Sequence, residues 1–222
     1  MSKFLAKKRL NNTIDIPTSS DYIHVHSFNS ESIEELKKED LKTPYIVIVG
    51  TLTPPDGRLI NGKEGYFYCS KENNMYGFIN KELEDTKEMF RNIDSSYKDN
   101  IKELLRKRGI VLMDVIDEAW ALKDSSDDDD IEKYVLDVNR FSQIDYSKVK
   151  RIIANSINAY LALKHISENI ECVNLKKMFD DEKVLLIPQQ TRGYHDNPNN
   201  LKYKHVYSSL EELTKAWSEA LI

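Results

Sequence analysis

The chain reads as a three-layer α/β/α sandwich around a four-stranded, mostly parallel sheet. Two observations predict it. The largely apolar runs Tyr45–Val49, Ile110–Ile116, Lys150–Ala154 and Val184–Ile187 carry apolar residues at successive rather than alternate positions. Strands covered on both faces have that character. Between the runs lie segments with helical spacing and capping signals, and alternating strands and helices indicate a parallel sheet with right-handed crossovers.

Size and composition agree with this class. The 222 residues, 40% hydrophobic and 31% charged, suit one domain with a sizeable core. Residues 1–20 are polar and weakly patterned and are expected to form a loosely ordered arm, leaving residues 21–222 as a single domain. The opening MSKFLAKKRLNN is basic but lacks an apolar h-region and a small-residue cleavage site, so no secretory signal is expected. No apolar run reaches membrane-spanning length, so no membrane partner is expected. Two cysteines, Cys69 and Cys172, are too few for a disulfide framework or a metal cage; reduced thiols in the cytoplasm are the expectation. The formal net charge of −5 argues against non-specific coating of nucleic acid but leaves room for a local basic cleft.

Along the chain, Asp21–Phe28 alternates Ile23 and Val25 with His24 and His26, as a short strand does. The two histidines would share a face. Metal ligands can have that spacing, but no third ligand is evident nearby, so they read as a solvated strand face. Ser32 with Glu35 fits a capping box, predicting a helix from Ser32 to about Leu41, ahead of Pro44. The first buried strand follows and stops at Gly50. Asn73 to Arg91 reads as mainly helical. Ser95-Ser96 opens another helix with Ile101, Leu104 and Leu105 buried, and Gly109 is its C-cap. The second strand, Ile110–Ile116, is interrupted by Asp114. Asp117–Asp130 is expected to be a loop ending in four aspartates at the start of a helix near Ile131. Those contiguous carboxylates point in different directions and lack calcium-loop spacing, so no metal is assigned to them. Asn155 and Ser156 end the third strand and cap a helix from Ile157 to Ile166. Val184–Ile187 is the fourth strand, ending at Pro188. Ser208 to Glu211 forms a capping box for a terminal amphipathic helix with Leu210, Leu213, Trp217 and Leu221 on one face.

Open α/β sheets bind ligands outside the carboxyl ends of their strands. Those ends deliver Gly50, Thr51 and Leu52, then Asp114, then Asn155 and Ser156, then Gln189, Gln190, Thr191, Arg192, Gly193, Tyr194 and His195. No dinucleotide or P-loop glycine pattern follows any strand, and neither a G-x-S-x-G elbow nor a paired zinc motif is present. Amides, hydroxyls and aromatics suit stacking on and hydrogen bonding to a planar polar ligand. Asp114 stands out, because a carboxylate inside an apolar strand costs several kcal/mol unless it is partnered. It can cap the backbone amides of a neighbouring loop or contact a ligand, and the sequence weighs the two equally. Tyr66, Phe67 and Tyr68 are core, lid or stacking platform. Arg192 is a surface residue or a phosphate contact.

Four elements in order resemble the uracil-DNA glycosylase superfamily, most closely its DNA-deoxyinosine (hypoxanthine) glycosylase branch. The first is Val49-Gly50-Thr51-Leu52, then Gly65-Tyr66-Phe67-Tyr68, Asn73 and Met75-Tyr76. The second is Gly109 to Val115, with Asp114 inside it. The third is Ser126 to Ile131. The fourth is Pro188 to Thr191 with the late Trp217. Together they cover roughly residues 44 to 217. The resemblance implies the strand order 2-1-3-4, with a pocket for a base flipped out of damaged DNA. It implies that Asn73 positions the attacking water, that Tyr68 stacks on the base, and that Gly50, Thr51, Leu52, Asp114 and Asn155 line the base site. Gln190, Thr191, Arg192 and His195 would approach the DNA backbone. The reaction implied is hydrolysis of an N-glycosidic bond, with uracil, hypoxanthine or xanthine leaving as a stabilised anion. It needs no metal and no cofactor, and a monomer is expected to perform it. The branch usually has His-Pro ahead of its Arg-Asn, where this chain has Ser70-Lys71-Glu72. A reading from another class stays open beside it: a catalytically inactive nucleotide- or protein-binding module on the same fold, prompted by the acidic balance and those altered residues.

Overall fold

The computed structural model describes residues 21–53, 59–60, 63–64, 97–122, 131–169, 172–188 and 210–222. In chain order its elements are β1 (Tyr22–His26), α1 (Asn29–Leu36), β2 (Tyr45–Gly50), the short antiparallel pair β3 (Leu59–Ile60) and β4 (Lys63–Glu64), α2 (Tyr97–Arg108), β5 (Ile110–Asp114), β6 (Ile116–Leu122), β7 (Ile131–Leu136), α3 (Val138–Ser142), a 3₁₀ turn (Tyr146–Lys148), β8 (Val149–Ala154), α4 (Ile157–Asn169), α5 (Val173–Asp180), β9 (Val184–Leu186) and α6 (Leu210–Leu221).

The four apolar runs do pair as parallel strands, side by side as β5-β2-β8-β9. Along the whole chain this is not 2-1-3-4, because strands outside the parallel sheet intervene; within the sheet, the second run lies outside the first, with the third and fourth beyond. Successive residues of each strand point to opposite faces. Val47, Val49, Val111, Met113, Ile152 and Ala154 pack with Phe141 of α3, Ala162 and Leu163 of α4 and Leu175 of α5. Ile46, Ile48, Ile110, Leu112 and Ile153 pack with Ile101 and Leu105 of α2 and Leu213 and Trp217 of α6. Helices therefore cover both faces, consistent with a three-layer α/β/α arrangement.

Gly109 ends α2 as its position predicts. Its φ is +66°, a left-handed conformation that glycine adopts without penalty. Its carbonyl accepts from the Ile46 amide at 2.7 Å, which sets β2 into register beside β5. The indole of Trp217 donates to the Pro188 carbonyl at 3.1 Å, tying α6 to the end of β9.

Several expectations need correction. The helix predicted from Ser32 to about Leu41 runs from Asn29 to Leu36, because Ser32 is not its cap. The Ser32 hydroxyl is buried and donates to the Leu112 carbonyl of β5 at 2.6 Å. The predicted second strand divides after Asp114, and its continuation leaves the parallel sheet as β6. The stretch from Asp117 to Leu122 is thus strand rather than loop, and the segment from Ile131 is strand rather than helix. Both pair in an antiparallel sheet ordered β1-β6-β7 that the sequence did not foreshadow. Helices α3 and α5 were also not foreseen. The expected helix from Asn73 to Arg91 and the aspartates 127–130 lie outside the described residues.

Candidate functional site

The carboxyl ends of β2, β5 and β8 meet at one edge of the parallel sheet. Gly50 and Asp114 are register partners, and Val49 pairs with Ala154. The ladder runs on beyond the strands: the Val115 amide donates to the Gly50 carbonyl at 2.8 Å, Ile116 to Thr51 at 3.1 Å, and Asn155 to Val49 at 2.9 Å. Gly50, Thr51, Leu52, Asp114 and Asn155 are therefore brought together, and all are buried. Tyr68, Asn73, Gln190, Thr191, Arg192 and His195 lie outside the described residues.

Thr51, Asp114 and Ser156 have structural tasks here. The Ser156 hydroxyl accepts from the Ala159 amide at 3.0 Å, capping α4 as the sequence predicts, and shares a hydrogen bond of 2.9 Å with the Thr51 hydroxyl. Asp114 is fully buried, and its Oδ2 accepts from the Thr53 amide at 3.0 Å and the Thr53 hydroxyl at 3.1 Å. Of the two roles the sequence leaves open for Asp114, the capping of loop amides is thus observed. The carboxylate fastens the strand-end segment Thr51–Thr53 to β5.

The backbone of Asp114 is held from the other side. Asn29, fully buried at the start of α1, accepts from the Asp114 amide at 2.8 Å and donates to its carbonyl at 2.6 Å. Its side chain stands in for a strand neighbour just where β5 leaves the sheet. The same Asn29 amide group donates to Asp137 Oδ2 at 2.6 Å. Asp137 is the N-cap of α3, accepting from the Arg140 amide at 3.2 Å and the Arg140 guanidinium at 3.0 Å, and that guanidinium also reaches Asp117. Burial works to lower the Arg140 pKa, but the hydrogen bond and charge of Asp137, with Asp117, outweigh it and hold Arg140 above its usual value. A polar chain from Thr53 through Asp114, Asn29 and Asp137 to Arg140 thus joins the two sheets. Sequence reasoning missed Asn29 and Asp137, although Asp137 directly before Val138 is a capping signal that could have been read.

A small cavity beside Leu41, Leu105, Arg106 and Ile110 lies at the other end of β5, away from Asp114. No helix among the described residues is long and apolar enough to cross a membrane. Comparisons with protein-family models, with curated proteins and with solved structures find no match.

Proposed function

We propose that this protein is a DNA glycosylase-like hydrolase that excises a deaminated base, uracil, hypoxanthine or xanthine, on a uracil-DNA glycosylase-like fold. What supports it is the meeting of Gly50–Leu52, Asp114 and Asn155 at one carboxyl edge of a parallel sheet. Ligands bind at that edge in open α/β folds. In sequence, Tyr68 and Asn73 follow β2, and Gln190, Thr191, Arg192 and His195 follow β9, and these two strands run parallel with β8 between them. Gly50 to Leu52 would form the floor beneath a flipped base, with Tyr68 as stacking face and Asp114 and Asn155 at its polar edge. Asn73 would hold the water that attacks the sugar carbon as the base departs, and Arg192 would hold a phosphate. The partner is then DNA containing a damaged base.

One observation favours the second reading, a binding module without the reaction. Thr53 already occupies Asp114 Oδ2, and a carboxylate spent on the fold has less to offer a base. A panel of single- and double-stranded oligonucleotides carrying each of the three bases separates the two. Abasic-site formation on at least one substrate supports the glycosylase; no cleavage of any, with binding retained, leaves the module.

A further inference from the structure

The antiparallel sheet carries a side-chain cluster that the strand-end site does not use. His24 and His26 stand two residues apart on β1 and so share a face. The antiparallel register sets His24 opposite Trp120 and His26 opposite Glu118 of β6, so Glu118 and both imidazoles share one face of the sheet. His24 Nε2 is 3.0 Å from Glu118 Oε2, and His26 Nδ1 is 3.7 Å from the same oxygen. One ligand atom from each of the three residues lies within 4.8 Å of the others. The His24 ring stacks on Trp120, with centroids 4.2 Å apart and planes 11° from parallel, which holds the plane of the imidazole. The His26 side chain is 65% exposed and can turn toward the cluster.

We propose that His24, His26 and Glu118 bind a first-row divalent transition-metal ion, Zn²⁺ foremost. A four-coordinate ion with bonds of about 2.0–2.1 Å separates its ligand atoms by about 3.3 Å. The observed 3.0 and 3.7 Å bracket that spacing. Two imidazoles and one carboxylate suit zinc and its neighbours better than calcium or magnesium, which take oxygen ligands. Three protein ligands leave a coordination position open. With both histidines exposed, that position faces solvent and can take water or an incoming donor. Such a site is of the open type rather than a closed structural cage. The pattern was visible in the sequence only as His24-x-His26, because the third ligand arrives across the β1–β6 pairing.

The test uses the untagged full chain, stripped of metal with a chelator. Calorimetric titration with Zn²⁺ is expected to show one ion per chain. His26→Ala and Glu118→Gln are each expected to weaken binding by about tenfold or more, since losing even an outer-sphere partner costs that much. Loading with Co²⁺ is expected to give the visible absorption of a four-coordinate ion, lost in both variants. His26 is mostly solvent-facing, so His26→Ala keeps the fold, and unchanged far-UV circular dichroism verifies this. Absence of stoichiometric Zn²⁺ binding by the parent chain overturns the proposal. So does a Zn²⁺ affinity or Co²⁺ spectrum unaltered in His26→Ala. These readouts are independent of glycosylase activity.

Discussion

Replacing Asn29 by Ala should damage this fold more than its single small side chain suggests. The residue is fully buried and its side chain makes three hydrogen bonds, two to the Asp114 backbone and one to the Asp137 carboxylate. Alanine leaves the Asp114 amide and carbonyl without that partner and removes a donor from a buried carboxylate. A buried polar group left unsatisfied costs about 1–3 kcal/mol, and a hydrogen bond to a charged group is worth about 1.5–3 kcal/mol. The three do not add fully, because Asp137 keeps its Arg140 donors and the site can relax. A loss of about 3–5 kcal/mol is therefore expected, a large share of the 5–15 kcal/mol that typically holds a domain. Asn29→Asp is nearly the same shape and separates packing from hydrogen bonding. It keeps an acceptor for the Asp114 amide but sets a second carboxylate against Asp137, and it should cost about as much at neutral pH. Exposed Ser30→Ala should stay within about 0.5 kcal/mol. Urea denaturation followed by circular dichroism measures all three. If Asn29→Ala lowers stability by less than about 1 kcal/mol with an unchanged m-value, the polar chain does not hold the junction between the sheets.

Other expectations follow from the same geometry. Gly109→Ala should cost about 1–3 kcal/mol for its left-handed backbone, and more because the new Cβ would meet the Lys42 carbonyl oxygen at 2.6 Å; a thermal melt equal to wild type would contradict this. Trp217→Ala should cost about 3–5 kcal/mol through the cavity it opens, whereas Trp217→Phe should lose chiefly the hydrogen bond to Pro188, about 1 kcal/mol. Burial acts to raise the Glu31 carboxyl, but hydrogen bonds and charges from Lys102 and Lys98 overcome it and hold it below its usual 4.5. Its folded pKa is depressed, so its contribution is present above about pH 4.5 and is lost as pH falls through the lower folded value. Denaturation of wild type and Glu31→Gln from pH 7 to pH 3 should converge on the acid side, and curves that stay parallel would show that Glu31 does not pin α1 to α2.

What the sequence made legible was what local chemistry determines. The four parallel strands are largely apolar at successive positions, and that marked them. Gly109, the Ser156 cap and the start of α6 at Leu210 are signals read within a few residues. The antiparallel sheet was illegible because β6 carries Asp117 and Glu118 among its apolar residues and β7 begins after an acidic run that also suits a helix start. Their strand character comes from pairing, β6 with β1 and β7 with β6, and the first of these joins residues almost a hundred positions apart. Ser32 misled for a related reason: its hydroxyl serves the Leu112 carbonyl, 80 residues away, rather than its own helix. Asn29 carries no local signal of its role, because its partners lie 85 and 108 residues on. At the strand-end site, Gly50, Thr51, Leu52, Asp114 and Asn155 could be named because position after a strand is a local property. That Thr53 would engage Asp114 was not, since it depends on how the chain turns after β2.

The most direct test is the rate of abasic-site formation by wild type and Asn73→Ala on the best of the uracil, hypoxanthine and xanthine substrates, measured under single-turnover conditions. A glycosylase that uses Asn73 to position water should lose about a hundredfold or more in rate with binding of the oligonucleotide largely kept. Equal rates for the two proteins, or no cleavage by wild type on any substrate, would contradict it.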